Sequence, residues 1–267
     1  YREDIDQWEI LNFGSESTNP PLWYITSATA RHANENSTID PVRGDFYHRI
    51  TGSQFVGRWK RSTNTYVANY TQITTSNMQV ATFLKFFPDR HRIVYADDFI
   101  GLREYDPVAN TWSAALHPSS AFSGKLGLAG NGVYCRRRKS LYIGGGNGTN
   151  VLQEYKADGT LSTVASLPIS CGSSNNQGML ICEPISGRLI IFGDNKTIWE
   201  ANDDVSVWTR RTELEPNITF WNTIQDVNWT LFDKVAVAIP PYGVIMFGAY
   251  ITAIGSKKTF LYKHSPL

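Results

Sequence analysis

"GLREYDPVANTWSAAL", residues 101–116, places a tyrosine, an Asp-Pro turn and a tryptophan in one short stretch, and the same arrangement recurs elsewhere in the chain. Trp59 and Tyr66 stand at the interval that separates Tyr105 from Trp112, and Asn-Thr precedes the second aromatic of each pair: Asn64-Thr65 and Asn110-Thr111. A turn used twice points to a repeated unit, and such self-similarity decides the fold before any single element does.

Working outward, the strand that leads into this motif, "HRIVYADDFIGLREY" (91–105), has relatives in "GDFYHRITGSQFVGRWK" (44–60), "KSLYIGGGNGTNVLQEY" (139–155), "GRLIIFGDNKTIWEA" (187–201) and "YGVIMFGAYITAIGSKKTFLYK" (242–263). Each is a hydrophobic strand, a polar or glycine-rich turn, and a second strand ending at or near an aromatic. Phe46, Ile93, Leu141 and Leu189 follow one another at roughly 48 residues, a propeller-blade period, with a longer step to Val244. Ahead of each hairpin from the second onward lies another apolar run: "QVATFLKFF", "GVYC", "GMLIC" and "KVAVAI". These read as innermost strands around a central axis. Four strands per unit, with Gly, Pro, Asn and Asp turns and no sustained 3.6-residue pattern, predict an all-β propeller.

The repeat resembles the kelch-type β-propeller, in which a glycine pair follows the second strand, a Tyr ends the third and a Trp lies in the fourth. Gly144-Gly145, Tyr105 and Trp112 match those elements, over nearly the whole chain. The glycine pair is kept in one unit only, Trp199 is read where a Tyr is usual, and Leu161 replaces the Trp. The resemblance implies a fold that hosts many functions. The last unit ends at "TFLYKHSPL" without a fourth strand, and the chain begins "YREDIDQWEIL" with a fourth-strand Trp and no third strand. Tyr262 would then precede Trp8 in space, with the N-terminal strand hiding the last blade's edge. The expectation is a single domain over 1–267, with five four-stranded blades at roughly 12–73, 74–119, 120–168, 169–214 and 215–267 plus strand 1–11. The alternative is a sixth, degenerate blade within 9–45.

The composition narrows the function classes. Net charge is +1 over 267 residues, which argues against nucleic acid as the partner, because displacing counterions needs a basic stripe. With 42% hydrophobic residues the chain buries a large core. Cys135, Cys171 and Cys182 lack metal-ligand spacing and read as buried thiols, with a Cys171–Cys182 bridge as the alternative. The longest apolar stretch, 234–255, is interrupted by Pro240, Pro241 and Gly243, so it reads as two buried strands and not as a membrane span. Sequons begin at Asn36, Asn69, Asn147, Asn195, Asn217 and Asn228, the mark of a secreted glycoprotein or of an Asn- and Thr-rich β protein. The chain starts at Tyr1 with no signal-peptide pattern, as a mature form or a fragment would.

In a blade whose strands run a to d outward from the axis, the d–a and b–c loops share one face and the a–b and c–d turns the other. The first face collects Asp97, Asp98, Asn147 and Asp194 from b–c turns, and Trp221 and Trp229 from the long segment 213–230, with Trp23 as a further member. Indoles stack on apolar sugar surfaces while carboxylates and amides bind hydroxyls, so these residues form the candidate ligand-binding set. The equally available reading makes them turn formers and blade-packing residues. On the opposite face "RRRKS", Arg136–Lys139 with Ser140, suits an anionic partner or plain solvation.

No GxSxG, HExxH or Walker pattern occurs, and the five histidines fall at unrelated repeat positions, so neither a cofactor nor a metal centre is expected. The resulting expectation is a non-enzymatic recognition or assembly module, extracellular or part of a virion or appendage. Its partner would be a surface glycan or a protein, with no nucleic acid and no membrane insertion. The alternative is a polysaccharide lyase or glycoside hydrolase in which Asp97 or Asp98 works with Asp194 across the axis.

Overall fold

The structure, a computed structural model, describes residues 36–49, 53–78, 82–126, 130–146, 148–169, 171, 179–193, 197–218, 234–251 and 256–264. Five antiparallel sheets follow one another along the chain. The first holds β1 (Ser37–Asp40), β2 (Asp45–Arg49), β3 (Phe55–Lys60) and β4 (Thr65–Gln72); the second holds β5 (Phe83–Phe87), β6 (Arg92–Asp97), β7 (Gly101–Asp106) and β8 (Thr111–Trp112). The third holds β9 (Asn131–Cys135), β10 (Ser140–Gly144), β11 (Leu152–Lys156) and β12 (Leu161–Thr163). The fourth holds β13 (Met179–Cys182), β14 (Leu189–Phe192), β15 (Ile198–Ala201) and β16 (Trp208–Arg210), and the fifth β17 (Lys234–Ile239), β18 (Val244–Ile251) and β19 (Ser256–Tyr262).

Strands pair in sequence order within each sheet. The first strands of successive sheets lie side by side, β1 on β5, β5 on β9, β9 on β13 and β13 on β17. This is a five-bladed β-propeller, and helix among the described residues is confined to short 3₁₀ turns. The fifth sheet shows three strands among the described residues. The strand 1–11 expected to complete it, and the sixth blade considered within 9–45, lie outside the described residues apart from 36–45. That last stretch supplies β1 and the turn after it.

The repeat read from the sequence is a cross-strand register. Trp59 faces Tyr66, and Tyr105 faces Trp112. The shared asparagines explain the conserved interval: Asn64 and Asn110 both adopt left-handed backbone, at φ 51° and 56°. Asn tolerates that region because its short side chain bonds locally. In both turns it also receives the aromatic of the third strand: Trp59 Nε1 donates to Asn64 Oδ1 at 3.1 Å, and Tyr105 OH to Asn110 Oδ1 at 2.7 Å.

Two positions shift relative to the sequence reading. Ala201, not Trp199, faces Trp208 and so occupies the Tyr105 position; Trp199 pairs with Ile191 and Arg210. In the fifth blade Ile245, not Val244, faces Tyr262. In each case the pleat sends the neighbouring residue to the other side of the sheet.

The hydrophobic core sits between blades. Tyr47, Val56 and Ile73 of the first blade pack on Leu84, Phe86, Ile93, Tyr95 and Tyr105 of the second. Phe83, Phe87, Val94 and Leu102 of the second meet Leu141, Ile143 and Tyr155 of the third. Cys135, Tyr142 and Leu152 meet Leu180, Leu189 and Ile191 of the fourth, and Ile190, Phe192 and Ile198 meet Ile245, Phe247 and Tyr262 of the fifth. The second, third and fourth blades are therefore apolar on both sides, which is why strands such as β6, β10 and β14 read as nearly continuous hydrophobic runs. The three cysteines are free and buried, and the stretch expected as two buried strands forms the pair β17 and β18, joined by the Pro240–Tyr242 turn, with Ile245 and Phe247 buried and Val237 exposed.

Candidate functional site

The two faces of the ring are built differently. Every a–b turn ends on a left-handed residue: Gly44, His91, Lys139, Gly187 and Gly243. The c–d turns likewise contain Asn64, Asn110, Gly159 and Val205. A left-handed residue closes a tight turn with little chain, so this face is short and uniform. The fourth strands end on the opposite face, at Gln72, Trp112, Thr163 and Arg210, and 10, 18, 15 and 23 residues of sequence separate them from the next blade's first strand. Long loops on a rigid frame are where binding residues concentrate.

Carboxylates near the uniform face are consumed by the frame. Glu104, Glu154 and Glu200 hold the same register position in three blades, each immediately before the residue that pairs with Trp112, Leu161 or Trp208. All are buried. Glu104 receives Arg90 Nε at 2.5 Å and Tyr155 OH of the next blade at 2.8 Å. Ala201 has no hydroxyl to offer Glu154, which instead takes Tyr142 OH of its own blade and Arg138 Nε, each at 3.1 Å. Glu200 is met by Arg188, Arg211 and His264. Burial pushes its carboxyl up, but those partners outweigh the burial and hold it at about 2. In the first blade the charges are exchanged: Arg58 takes the glutamate position and pairs with Asp45. The basic turn joins the same scheme, since Arg138 Nη1 donates to Asp203 O at 2.8 Å and Arg137 pairs with Asp203 at 2.7 Å.

On the loop face, the b–c turn of the second blade carries the two described members of the candidate set. Asp97 is fully buried at the end of β6. Its Oδ2 accepts Tyr95 OH at 2.7 Å, and its Oδ1 accepts the Phe99 and Ile100 amides at 2.9 and 2.6 Å. This Asx turn fixes the backbone that presents the next two residues. Asp98 is half-buried; its Oδ1 is shielded from solvent and has no hydrogen-bond partner among the described residues. Burial, with the neighbouring Asp97 charge, pushes its carboxyl above the usual range. Phe99, at 58% exposure, stands beside it. The sequence reading passed over Phe99, although an aromatic inside a turn-forming "DDFI" was the available signal.

Behind the turn, Arg49 of the first blade is buried with its guanidinium 5.1 Å from the centre of the Tyr95 ring. Arg49 Nε donates to Ser53 O at 2.8 Å. Burial, and after it the Asp97 charge acting against Arg49, raises the Tyr95 hydroxyl far above its ordinary range. His48 next to Arg49 is lowered to about 4, first by burial and then by the Arg49 charge. The loop-face turn therefore rests on an interblade block of Arg49, Tyr95 and Asp97. Asn147, Asp194, Trp221, Trp229 and Trp23 lie outside the described residues. Of the sequons, Asn36 is fully buried, which leaves no room for a glycan there, and Asn69 is exposed.

Among the described residues no group of three or more His, Cys, Asp or Glu side chains could hold a metal ion, and no helix is long and apolar enough to cross a membrane.

No family model matches the chain, and no curated protein matches it. Solved structures do. The chain is similar to a luciferin-regenerating enzyme at TM-score 0.54 and 11% identity, over 87% of this chain and 72% of that one. It is also similar to an auxiliary nutrient binding protein from Bacteroides thetaiotaomicron VPI-5482 at TM-score 0.50 and 10% identity, covering 86% of this chain and 57% of that one. An auxiliary nutrient binding protein from Bacteroides ovatus ATCC 8483 is similar at TM-score 0.47 and 11% identity, over 85% of this chain and 58% of that one. The chain thus spans less than two thirds of the length of either nutrient binding protein. At these identities the likeness is one of fold.

Proposed function

We propose that the protein is a non-enzymatic recognition module that works outside the cell, on a cell surface or in a virion, and binds a glycan or a protein partner through the face formed by its b–c and d–a loops. One observation carries this reading: the a–b and c–d turns are short and uniform, whereas on the other face the fourth strands of four blades end 10 to 23 residues of sequence before the next blade begins. That face offers an exposed aromatic, Phe99, next to the half-buried carboxylate of Asp98, on a turn locked by Asp97. The combination suits a sugar, whose apolar face stacks on the ring while a hydroxyl donates to the carboxylate. The nutrient binding named for the similar Bacteroides thetaiotaomicron protein is in keeping with this reading.

We further propose that the propeller is kelch-like. It is supported by Gly144 and Gly145, whose φ values of 136° and 67° demand glycine, and by the Tyr105–Trp112 pair. A Cβ on Gly144 would lie 2.2 Å from Val151 O.

The candidate binding set remains Asp97 as anchor, with Asp98, Asn147, Asp194, Trp221 and Trp229 as contacts. Replacing Trp221 or Trp229 by Ala is expected to weaken ligand binding about tenfold or more, or ~1.4 kcal/mol, with the melting temperature unchanged. Undiminished binding in both variants, measured by isothermal titration, would overturn the assignment.

A further inference from the structure

We propose that the uniform face carries a second docking site, in the groove between the a–b turns of the third and fourth blades, for a protein segment in which a carboxylate stands next to an apolar side chain. This site is separate from the loop face and does not depend on the reading above.

The groove encloses about 430 Å³ and is lined by Arg136 and Arg137 on one side and by Pro184, Ile185, Ser186 and Gly187 on the other. Arg136 is exposed, and no hydrogen bond or ion pair engages its side chain among the described residues. Arg137 is held by Asp203, with both side chains about half exposed, at 48% and 51%. An exposed pair of this kind is worth little, so Arg137 can take an incoming carboxylate while Arg188 keeps Asp203 at 2.8 Å. Two guanidiniums side by side match carboxylates through forked hydrogen bonds.

The apolar half is equally specific. Ile185 is 61% exposed, and Tyr242, in the corresponding turn of the fifth blade, is 65% exposed. The two turns abut, because a Cβ on Gly243 would lie 2.7 Å from Ile185 Cδ1. Cations, an aliphatic tip and an aromatic tip therefore follow one another across three blades. A sulfated or phosphorylated polymer would use the arginines and gain nothing from Ile185 and Tyr242; a peptide uses both.

The site is rigid before any ligand arrives. Glu183 accepts the Ile185 amide at 3.0 Å and the Ser186 amide as well, and Gly187 N donates to Glu183 O at 2.9 Å. Gly187 packs so closely on the basic turn that a Cβ there would lie 2.5 Å from Arg137 Cβ. Preformed geometry lowers the ordering cost of binding, and Arg with aromatic anchors dominates such interfaces.

A display library of random dodecapeptides, selected on the immobilised full chain, tests the proposal. The expected winners carry Asp or Glu beside Leu, Ile, Phe or Tyr. A synthetic winner should lose tenfold or more in affinity, by fluorescence anisotropy, against Arg136→Glu and against Ile185→Ser, two exposed substitutions that leave the melting temperature unchanged. Winners without acidic residues, the absence of any enriched peptide, or equal affinity for both variants would overturn it. So would dextran sulfate binding that needs Arg136 and ignores Ile185, which would reduce the groove to a patch of charge.

Discussion

The hydroxyl of Tyr155 donates to the carboxylate of Glu104 across the boundary between the second and third blades, at 2.8 Å. Arg90 holds the same carboxylate and reaches over the boundary to Ala157 O at 2.7 Å. The contact locks one blade to the next with buried polar groups, so it is strict in its partners. Tyr155→Phe should cost about 1.5–3 kcal/mol, the range for a hydrogen bond to a charged group. Glu104→Ala, which strands Arg90, should cost about 3 kcal/mol or more. Urea unfolding midpoints at constant m-value measure both; equal midpoints for the Tyr155→Phe variant and the parent would contradict the interblade role.

Acid stability follows from His48 and Glu200, whose windows differ. His48 is lowered in the folded chain to about 4, so between its ordinary 6.5 and that value the unfolded state binds more protons. Stability must therefore fall as pH drops through this range, by about 3 kcal/mol at most. Glu200 is held at about 2, so its stabilisation is complete above the ordinary carboxylate range and is lost as pH falls from there toward 2. Stability measured against pH should show the two stages, and His48→Gln should flatten the upper one alone. An unchanged upper stage in that variant would refute the assignment to His48.

The neighbouring aspartates of the b–c turn should respond in opposite ways. Asp97→Asn loses an acceptor for Tyr95 OH in a buried site and should cost about 1–3 kcal/mol. Asp98 is desolvated with a raised carboxyl, so its charge opposes folding at neutral pH. Asp98→Asn should leave the melting temperature unchanged or higher near pH 7, and the gain should vanish in acid once both states are protonated. A lower melting temperature for Asp98→Asn would place a structural partner on its carboxylate.

Much of this architecture was legible because a propeller repeats one solution. Asn64 and Asn110 mark the same turn for the same backbone reason, and the interval from Tyr105 to Trp112 is a register distance. The interval also finds Ala201 when counted back from Trp208, a signal masked by the nearby indole of Trp199. Glu104, Glu154 and Glu200 were not legible, since a glutamate in a strand ordinarily reads as solvent-facing. Their burial depends on arginines contributed by other strands and turns: Arg90, Arg138, Arg188 and Arg211. On the loop face Asp97 and Asp98 were readable as a pair, but not that Asp97 alone holds the turn, because the distinction lies in which oxygen meets which amide.

Ring closure is open to a direct test. Four blades end on a fourth strand, while the fifth shows β17, β18 and β19 among the described residues. If residues 1–11 supply its partner, with Trp8 near Tyr262, deleting them should expose a sheet edge and cause aggregation or a large fall in melting temperature. A truncated chain that stays monomeric with an unchanged melting temperature would contradict the closure.

The central claim is that the loop face binds without turning over. The measurement that tests it most directly is a panel of purified polysaccharides, scored together for retention of the protein by affinity electrophoresis and for release of reducing or unsaturated sugar. Retention on at least one polysaccharide with no sugar released is the result the account predicts. Release of sugar, abolished by Asp97→Asn or Asp98→Asn while retention persists, would contradict it and make the propeller an enzyme.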